Sequence, residues 1–332
     1  MSTAEPTHAS PAGPQELLLA DIGGSHIRLA RHRGGASCEP LARLPTPSQD
    51  WAQFCATLGE ALHPFANKPG AALSISIAGV VSPESGQVAA ANLPCLSGRP
   101  LAVELQALLG MPVVVSNDAD CAALAEARVG AGVGHAVVFC AVLGTGVGGG
   151  LVANGQLVRG AGGLSGEWGH GPIVNEALLE TGDGRWLRLP RFRCGCGLSG
   201  CADTVGGARG LERLHAFLSP QREQSSQQIL EAWMAGEAAA GATVRAYIEL
   251  ISGPLALAVN LTGASVVPVC GGLSRCSALI GALDRAVRSQ ILRRSSSYSD
   301  SNADQALLRP STLDDQAGLI GAAYAFQGAW QA

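Results

Sequence analysis

The sequence predicts an α/β protein made of two similar lobes. Its 332 residues exceed what one hydrophobic core usually organises, so two domains are expected. A pattern of strand, glycine turn and strand occurs once in each half of the chain, at 16–30 and at 137–157. Between them, the run 111–116 is almost entirely apolar, which is typical of a strand buried in a parallel sheet.

The composition describes a compact globular protein, with 47% apolar residues, 14% charged residues and 44 glycines. Because the net charge is −4 and no Lys/Arg run exceeds Arg293–Arg294, nucleic acid is not expected as a partner. No apolar run reaches the roughly 18 residues of a membrane span, so no membrane partner is expected. Ten cysteines without a signal peptide favour the reducing cytoplasm. Residues 1–14 are expected to be a mobile leader.

The first hairpin begins with an apolar strand that ends at Asp21 and turns at Gly23, Gly24 and Ser25. Glycines leave backbone N–H groups open to phosphate oxygens, and Asp21 and Ser25 are suited to orient a magnesium-bound triphosphate. An ordinary type I′ turn uses the same residues, so the hairpin alone leaves both interpretations open.

Two polar or open positions follow predicted elements of the first lobe. The segment 51–65 has helical spacing, and the alternating run 71–78 predicts a strand that ends at Gly79, whose backbone is free to line a cleft. Asn92 follows another short apolar run, where it either caps a turn or contacts a sugar hydroxyl.

The buried strand 111–116 delivers Asn117 and Asp118. A carboxylate at the carboxyl end of a central strand is where open α/β sheets place their chemistry. The alternative is a helix cap, because Asp118 or Asp120 would also start the predicted helix 121–129 well. The two roles are compatible.

The second hairpin joins the strand 137–143 to the strand 151–157 through Gly144, Thr145, Gly146 and the glycines up to Gly150. A third glycine turn, Gly271–Gly272, follows the strand 267–270, where an adenosine can lie on bare backbone. The chain has neither a Walker A sequence nor a G-x-G-x-x-G after its first strand. A nucleotide would therefore be held between two lobes and not by a P-loop.

The remaining part of the second half predicts helices. Residues 207–265 are expected to form amphipathic helix broken at Gly253–Pro254, and 288–304 a polar surface connection. The segment 314–326 predicts a final helix whose small residues allow close packing against the amino-terminal lobe.

Three cysteines and one histidine provide a four-ligand set, namely His170, Cys194, Cys196 and Cys201. Thiolate and imidazole are the ligands of closed tetrahedral zinc sites, and the intervening glycines let a short loop bring three sulfurs together. We therefore expect structural Zn²⁺. The alternative is a loop of buried or oxidised cysteines.

Glu167 lies three residues before His170, so the two share a face if 166–170 is helical. A metal that holds His170 would then also fix Glu167 as a contact for a polar ligand. Trp168 is expected to pack and not to bind.

The motifs together resemble the ROK (repressor, open reading frame, kinase) sugar kinases. The resemblance covers the chain from about Leu17 and is carried by Asp21–Arg28, Asn117–Leu124, Leu143–Gly150, Gly166–His170 and Cys194–Cys201. Repressor members carry an amino-terminal helix-turn-helix, for which the predicted leader is too short, so the enzyme branch is preferred. The segments Ala91–Pro94, Ser97–Leu101 and Leu189–Arg193 are most similar to bacterial N-acetylglucosamine kinases.

The resemblance implies a two-lobed actin-like ATPase (ribonuclease H-like) fold with the sugar in a cleft between lobes. It implies ATP-dependent phosphorylation of a hexose at its 6-hydroxyl, most similar to N-acetylglucosamine kinases, with Mg²⁺ accompanying ATP. The lobes are expected at 15–118 with 315–332, and at 119–314, the larger one carrying the zinc site. A homodimer is also expected. Glucokinase, fructokinase and N-acetylmannosamine kinase are the alternatives, and a catalytically inactive sugar sensor is the alternative of another class.

The resemblance also assigns roles to residues. Asp118 is the general base, and Asp21 with the Gly144–Gly146 turn faces the phosphates and Mg²⁺. The sugar contacts that it implies are Gly79, Asn92, Asn117, Asp118, Glu167, His170 and Asp203.

Two departures from the family pattern bear on those roles. Ser25–His26 stands where the family usually has Thr–Lys, which keeps a hydroxyl but removes a cation near the phosphates. Asp203 stands where the family usually has Glu, and the shorter side chain changes the reach to the anomeric end of the sugar.

Overall fold

The computed structural model describes residues 14–171, 177–181, 184–220, 223–292 and 305–331. These residues form two compact units. The first contains the chain up to Asp118 together with the residues from Ala322, and the second contains Ala119–Gly321. Most of the leader and most of the 288–304 connection lie outside the described residues.

The first unit is built on a five-stranded sheet. In chain order its elements are β1 (Glu16–Ile22), β2 (His26–His32), β3 (Cys38–Pro45), α1 (Trp51–Leu62), β4 (Ala71–Ile77), β5 (Val80–Val81), β6 (Val88–Ala89), α2 (Leu101–Leu109) and β7 (Val113–Asn117). The sheet order is β3-β2-β1-β4-β7, in which the first three strands are antiparallel and β1, β4 and β7 are parallel. Every side chain of β4 is buried, as expected for a central strand.

Local sequence signals set the ends of the two helices in the first unit. The Asp50 side chain accepts a hydrogen bond of 3.0 Å from the N–H of Gln53 and so caps α1. Gly110 ends α2 in the left-handed conformation, with φ of 63°. The apolar faces of both helices join the core that covers the sheet, for example through Phe54 and Leu105.

The second unit repeats this sheet with more helices around it. Its elements are α3 (Asp118–Val129), β8 (Val137–Leu143), β9 (Val147–Ala153), β10 (Gln156–Leu157), β11 (Ala177–Glu180), β12 (Trp186–Leu189), α4 (Asp203–Gly206), α5 (Ala208–Leu218), α6 (Ser226–Met234), α7 (Ala238–Thr262), β13 (Val267–Cys270), α8 (Ser277–Arg288) and β14 (Leu308–Pro310), and α9 (Ala317–Gln331) follows. The order β10-β9-β8-β13-β14 again joins an antiparallel hairpin to two parallel strands. One topology thus occurs twice, in agreement with the repeated sequence pattern.

The predicted break at Gly253–Pro254 is wrong, because α7 runs through both residues. Proline lacks an N–H and costs a helix its hydrogen bond. The flanking Ile251 and Leu255 are fully buried in the core of the second unit, and this packing outweighs the local penalty. The helical region is interrupted instead between α5 and α6, and at Gly236, where φ is 84°.

Among the described residues, α7 alone is long and apolar enough to cross a membrane, with a mean hydropathy of 1.3. An apolar stretch of 18 residues within α7 is 61% buried, as is typical of a core helix in a globular protein. Arg245 and Glu249 also interrupt its apolar sequence. The length of α7 therefore gives only weak evidence for a membrane span.

The final helix packs closely, as its small residues predicted. A Cβ atom on Gly321 would lie 1.8 Å from the carbonyl oxygen of Cys121, so α9 and α3 meet backbone to backbone. The next residue, Ala322, accepts a 2.7 Å hydrogen bond from the buried hydroxyl of Ser74 on β4. No residue larger than glycine fits position 321 without moving one of the two helices.

Candidate active site

The parallel register of the first sheet aligns the ends of three strands. Ile22, Ile77 and Asn117 form one row across β1, β4 and β7. The three strands therefore end at the same edge of the sheet, where Gly23, Gly79 and Asp118 follow them. This edge brings together the candidate residues of the first hairpin, of β4 and of β7.

Asp118 is the first residue of α3 and directly follows β7, so the helix begins three residues earlier than the predicted residue 121. The Asn117 amide donates one hydrogen bond of 3.0 Å to the carbonyl oxygen of Gly79 and one of 3.2 Å to Oδ1 of Asp118. The amino terminus of a helix favours a negative charge. The arrangement therefore presents an oriented carboxylate at the end of the sheet.

Two glycines among the candidate residues of the first unit make close packing contacts. A Cβ at Gly79 would lie 2.8 Å from both the carbonyl oxygen of Ala89 and the Cβ of Ala90. A Cβ at Gly24 would lie 3.2 Å from the carbonyl oxygen of Asn92. The structure thus places Asn92 beside the first glycine turn, and it gives Gly79 a packing role that its sequence position did not predict.

Asp21, which we expected to face the phosphates, is held by two neighbours. Its Oδ1 accepts a 2.8 Å hydrogen bond from Ser76, and its Oδ2 pairs with Arg28, whose Nε is 3.1 Å away. Arg28 was not among the predicted site residues, although the hairpin register pairs it directly with Asp21. The turn itself is closed by the Thr46 hydroxyl, which donates a 2.8 Å bond to the carbonyl oxygen of Gly23.

The four predicted metal ligands come together in the second unit. Their ligand atoms all lie within 4.8 Å of one another. Nδ1 of His170 is 3.7 Å from Sγ of Cys194, and the Sγ atoms of Cys196 and Cys201 are also 3.7 Å apart. Tetrahedral zinc with bonds of about 2.0–2.3 Å separates its ligands by about 3.3–3.8 Å. The residues therefore fit zinc.

The loop that carries the thiols turns at two glycines, Gly197 with φ of 93° and Gly200 with φ of 81°. Burial raises the pKa of the Cys194 thiol to about 12, whereas a hydrogen bond with the backbone of Leu198 lowers the pKa of Cys196 to about 7. Because zinc binds thiolates, a bound cation would favour deprotonation of all three cysteines.

The segment 166–170 is a glycine turn and not the predicted helix. Gly166 takes a φ of 70°, and the N–H of His170 donates to the carbonyl oxygen of Glu167 at 3.1 Å. The turn still places Glu167 beside His170, with 3.7 Å between Oε2 and Nε2. Burial raises the pKa of Glu167, the charge of His170 opposes this shift, and the charge of Asp203 adds to it. Trp168 packs as predicted and donates a 2.7 Å bond to the carbonyl oxygen of Gly148.

The second glycine hairpin is shorter than predicted, because β9 already begins at Val147 and only residues 144–146 form the turn. Gly150 lies in the strand, where a Cβ would come within 2.7 Å of Ala123. Gly271 has a φ of 90°, and a Cβ there would lie 2.5 Å from the carbonyl group of Leu143. The structure therefore brings the Gly271–Gly272 turn against the start of the second hairpin.

Asp203 and the start of α5 support that hairpin, which the sequence analysis did not predict. Oδ1 of Asp203 accepts a 2.8 Å hydrogen bond from the N–H of Val147, and its Oδ2 is 3.5 Å from Sγ of Cys194. The N–H of Ala208 donates a 2.8 Å bond to the carbonyl oxygen of Gly144. The pair Gly206–Gly207 just before α5 is the sequence signal for this close approach, because a Cβ on Gly207 would lie 2.6 Å from the Cα of Gly146.

Comparison with known proteins places this geometry in a family. The family model described as the ROK family matches residues 18–329. The N-acetylgalactosamine kinase of Shewanella sp. (strain ANA-3) is 35% identical over 274 residues, which cover 82% of this chain and 86% of the relative. The N-acetyl-D-glucosamine kinase of Escherichia fergusonii is 34% identical over 265 residues, which cover 78% of this chain and 84% of the relative.

Solved structures agree with these relatives. The ROK hexokinase from Thermus thermophilus is 27% identical with a TM-score of 0.73, and the match covers 94% of this chain and 97% of that one. A ROK family glucokinase from Streptomyces griseus, solved with glucose and AMPPNP, is 26% identical with a TM-score of 0.73 and coverage of 93% and 98%. The fold is the actin-like ATPase fold, as predicted. Because the family model matches nearly the whole length of this chain, the chain belongs to the ROK family.

Proposed function

We propose that this protein transfers the γ-phosphoryl group of ATP to the 6-hydroxyl of an N-acetylhexosamine, with N-acetyl-D-glucosamine as its principal substrate. The observation that carries the proposal is the oriented carboxylate of Asp118 at the junction of β7 and α3, in a chain of the ROK family. Asn117 bonds both Asp118 and Gly79, so the candidate base is fixed to the end of the sheet.

The names of the relatives support the choice of sugar. Two relatives at 34–35% identity are named for N-acetylated hexosamines, whereas the solved structures named for hexose or glucose are 26–27% identical. N-acetylgalactosamine is therefore the second candidate. Glucose, fructose and N-acetylmannosamine are retained as test substrates.

In the proposed reaction, Asp118 accepts the proton of the 6-hydroxyl as its oxygen attacks the γ-phosphorus. Phosphoryl transfer has a loose transition state, so it requires positioning and charge neutralisation more than covalent help. We assign the positioning of the sugar to Asn92, Asn117, Glu167 and His170. When bound with ATP, Mg²⁺ supplies the neutralising charge.

The nucleotide is assigned to the glycine turns. Gly23, Gly24 and Ser25 form the first turn, and the N–H groups of Gly144–Gly146 belong to the second. No atom within 4 Å would meet a Cβ on Gly272, which supports open backbone there for an adenosine. Asp21 is assigned to the orientation of the magnesium-bound phosphates, with Ser76 and Arg28 fixing its carboxylate.

Zinc is assigned a structural role, because four protein groups fill a tetrahedral set and leave no position for a substrate. With Nδ1 of His170 directed at the thiols, Nε2 remains for Glu167 and for a ligand hydroxyl. The metal would thereby fix the orientation of both side chains. We further propose a cytoplasmic homodimer, without nucleic acid or membrane partners.

A coupled assay of ADP release tests the proposal with N-acetylglucosamine, N-acetylgalactosamine, N-acetylmannosamine, glucose and fructose side by side. We expect the highest kcat/KM with N-acetylglucosamine. Highest turnover with glucose or fructose would contradict the choice of sugar. If calorimetry shows sugar binding but no ADP is released with any of the five sugars, the inactive sensor would be favoured.

A further inference from the structure

Asp203 lies between the cysteine cluster and the second glycine hairpin. It follows the metal ligand Cys201 by two residues, and its own N–H donates a 2.9 Å hydrogen bond to the carbonyl oxygen of Gly169. One carboxylate oxygen accepts the N–H of Val147 at 2.8 Å, and the other lies 3.5 Å from Sγ of Cys194. The side chain therefore joins two parts of the second unit that are far apart in the sequence.

The hairpin is shaped around this carboxylate. A Cβ atom on Gly146 would lie 2.4 Å from Oδ1 of Asp203, which is well inside a van der Waals contact. Gly146 takes no positive φ, so its small size serves the contact and not an unusual backbone conformation. Glycine at position 146 thus makes room for Asp203.

The residues after Asp203 extend the same support. A Cβ on Gly207 would lie 2.6 Å from the Cα of Gly146 and from the carbonyl oxygen of Thr145. The N–H of Ala208 donates to the carbonyl oxygen of Gly144 at 2.8 Å. The segment 201–208 therefore provides one metal ligand, one carboxylate and close backbone contact to every residue of the turn.

We propose that Asp203 is a positioning residue for the nucleotide, because it fixes the glycine hairpin 144–147, and that it is not a sugar ligand. The inference rests on the proposed function, which assigns the nucleotide phosphates to this hairpin. Through the short chain between Cys201 and Asp203, the contact of Asp203 with the hairpin would couple the metal centre to nucleotide affinity. The N–H of Val147, on a residue that is only 7% exposed, would lose its acceptor if the carboxylate were removed.

The test compares Asp203→Ala with Asp203→Asn. Asparagine keeps a side-chain oxygen that accepts the N–H of Val147, whereas alanine removes it. We expect D203A to weaken ADP binding in calorimetry by about 5- to 100-fold, and D203N to stay within about threefold of the unmodified protein. Hydrogen exchange of the segment 144–153 should accelerate in D203A only, and the KM for sugar should change less than the affinity for ADP.

Asp284 provides a matched control. Its carboxylate also accepts backbone N–H groups, from Leu307 and Leu308 at 2.9 Å each, on α8. D284A should lower stability without a specific loss of ADP affinity. Zinc analysis of every variant should give unchanged metal content, and a D203A protein that binds ADP weakly only because it has lost zinc contradicts the inference.

Two further outcomes would overturn it. Unchanged ADP affinity and exchange in D203A, together with a raised KM for sugar, would make Asp203 a sugar ligand. Equal losses in D203N and D203A would show that the charge matters and not the bond to Val147. If the unmodified protein fails to bind ADP, the proposed function and the nucleotide part of this inference fall together, whereas unchanged exchange in D203A overturns the inference alone.

Discussion

The two glycine hairpins share a topology but differ in what supports them. The turn between β1 and β2 is closed by Thr46, which follows the neighbouring strand β3, and Asp21 beside it pairs with Arg28 inside the same hairpin. The turn between β8 and β9 is supported from outside its sheet by Asp203 and by Ala208. The first hairpin is held by its own sheet, and the second by the segment that follows the candidate metal ligand Cys201.

This difference indicates how one duplicated topology acquires unequal roles. The first unit carries the candidate base directly at the end of a strand, where the sheet fixes it. The second unit depends on a loop on which three thiols and an imidazole converge. Changes in the first unit should therefore affect chemistry with little effect on metal content, whereas changes to the four candidate metal ligands of the second should affect both.

The largest expected effect is on the base. Asp118→Asn removes the proton acceptor, so we expect kcat to fall by about 10²- to 10⁴-fold while sugar binding and zinc content remain. Steady-state kinetics with sugar calorimetry and metal analysis check this. Asp50→Asn is the matched control, because asparagine also caps a helix and should leave kcat unchanged. Near-normal turnover in D118N would exclude Asp118 as the base.

The second effect is on the metal centre. Cys201→Ser removes a buried ligand, so we expect loss of zinc and of at least about 2 kcal/mol of stability, because bound metal stabilises the folded state. Thermal unfolding and metal analysis measure both. Cys55→Ser, on α1 of the first unit, is the control, and this variant should retain full zinc content. Full zinc content in C201S would contradict the metal site and favour the alternative, a loop of ordinary buried cysteines.

A third, smaller effect compares the hairpins directly. Gly146→Ala places a Cβ 2.4 Å from Oδ1 of Asp203, whereas the nearest atom to a Cβ on Gly23 is 3.8 Å away. We expect G146A to lose about 1–3 kcal/mol from overpacking and G23A to lose less than about 0.5 kcal/mol. Denaturant unfolding gives the two values. Equal losses would mean that the two turns are supported alike.

The smallest effect is on the first turn. Thr46→Val keeps the shape of the side chain but removes the hydroxyl that donates to Gly23, which should cost about 0.5–1.5 kcal/mol of stability. Zinc content should not change. A loss of zinc in T46V would contradict the separation of the two supports.

Patterns that are local in the sequence were sufficient for part of the site. The convergence of the four candidate metal ligands could be predicted because three of them lie in eight residues rich in glycine, where spacing alone limits the geometry. Glu167 was correctly placed beside His170 although the predicted helix is a turn, because both structures bring residues three apart together. Both hairpins followed from alternation and glycine.

Contacts between distant residues could not be predicted in the same way. The contact of Asp203 with Val147 joins residues 56 positions apart and depends on how α4 packs. Pro254 remains helical because of core packing, which no local propensity describes. Arg28 was missed because its partner is defined by strand register and not by a motif.

The contact at Gly321 has a consequence for how this enzyme can vary. The helix that begins with the candidate base Asp118 touches the carboxyl-terminal helix through bare backbone at Gly321. A substitution there would push on α3 from a position two hundred residues downstream in the gene. Selection on turnover would then also act on this helix contact, and laboratory evolution of the sugar preference should leave codon 321 untouched.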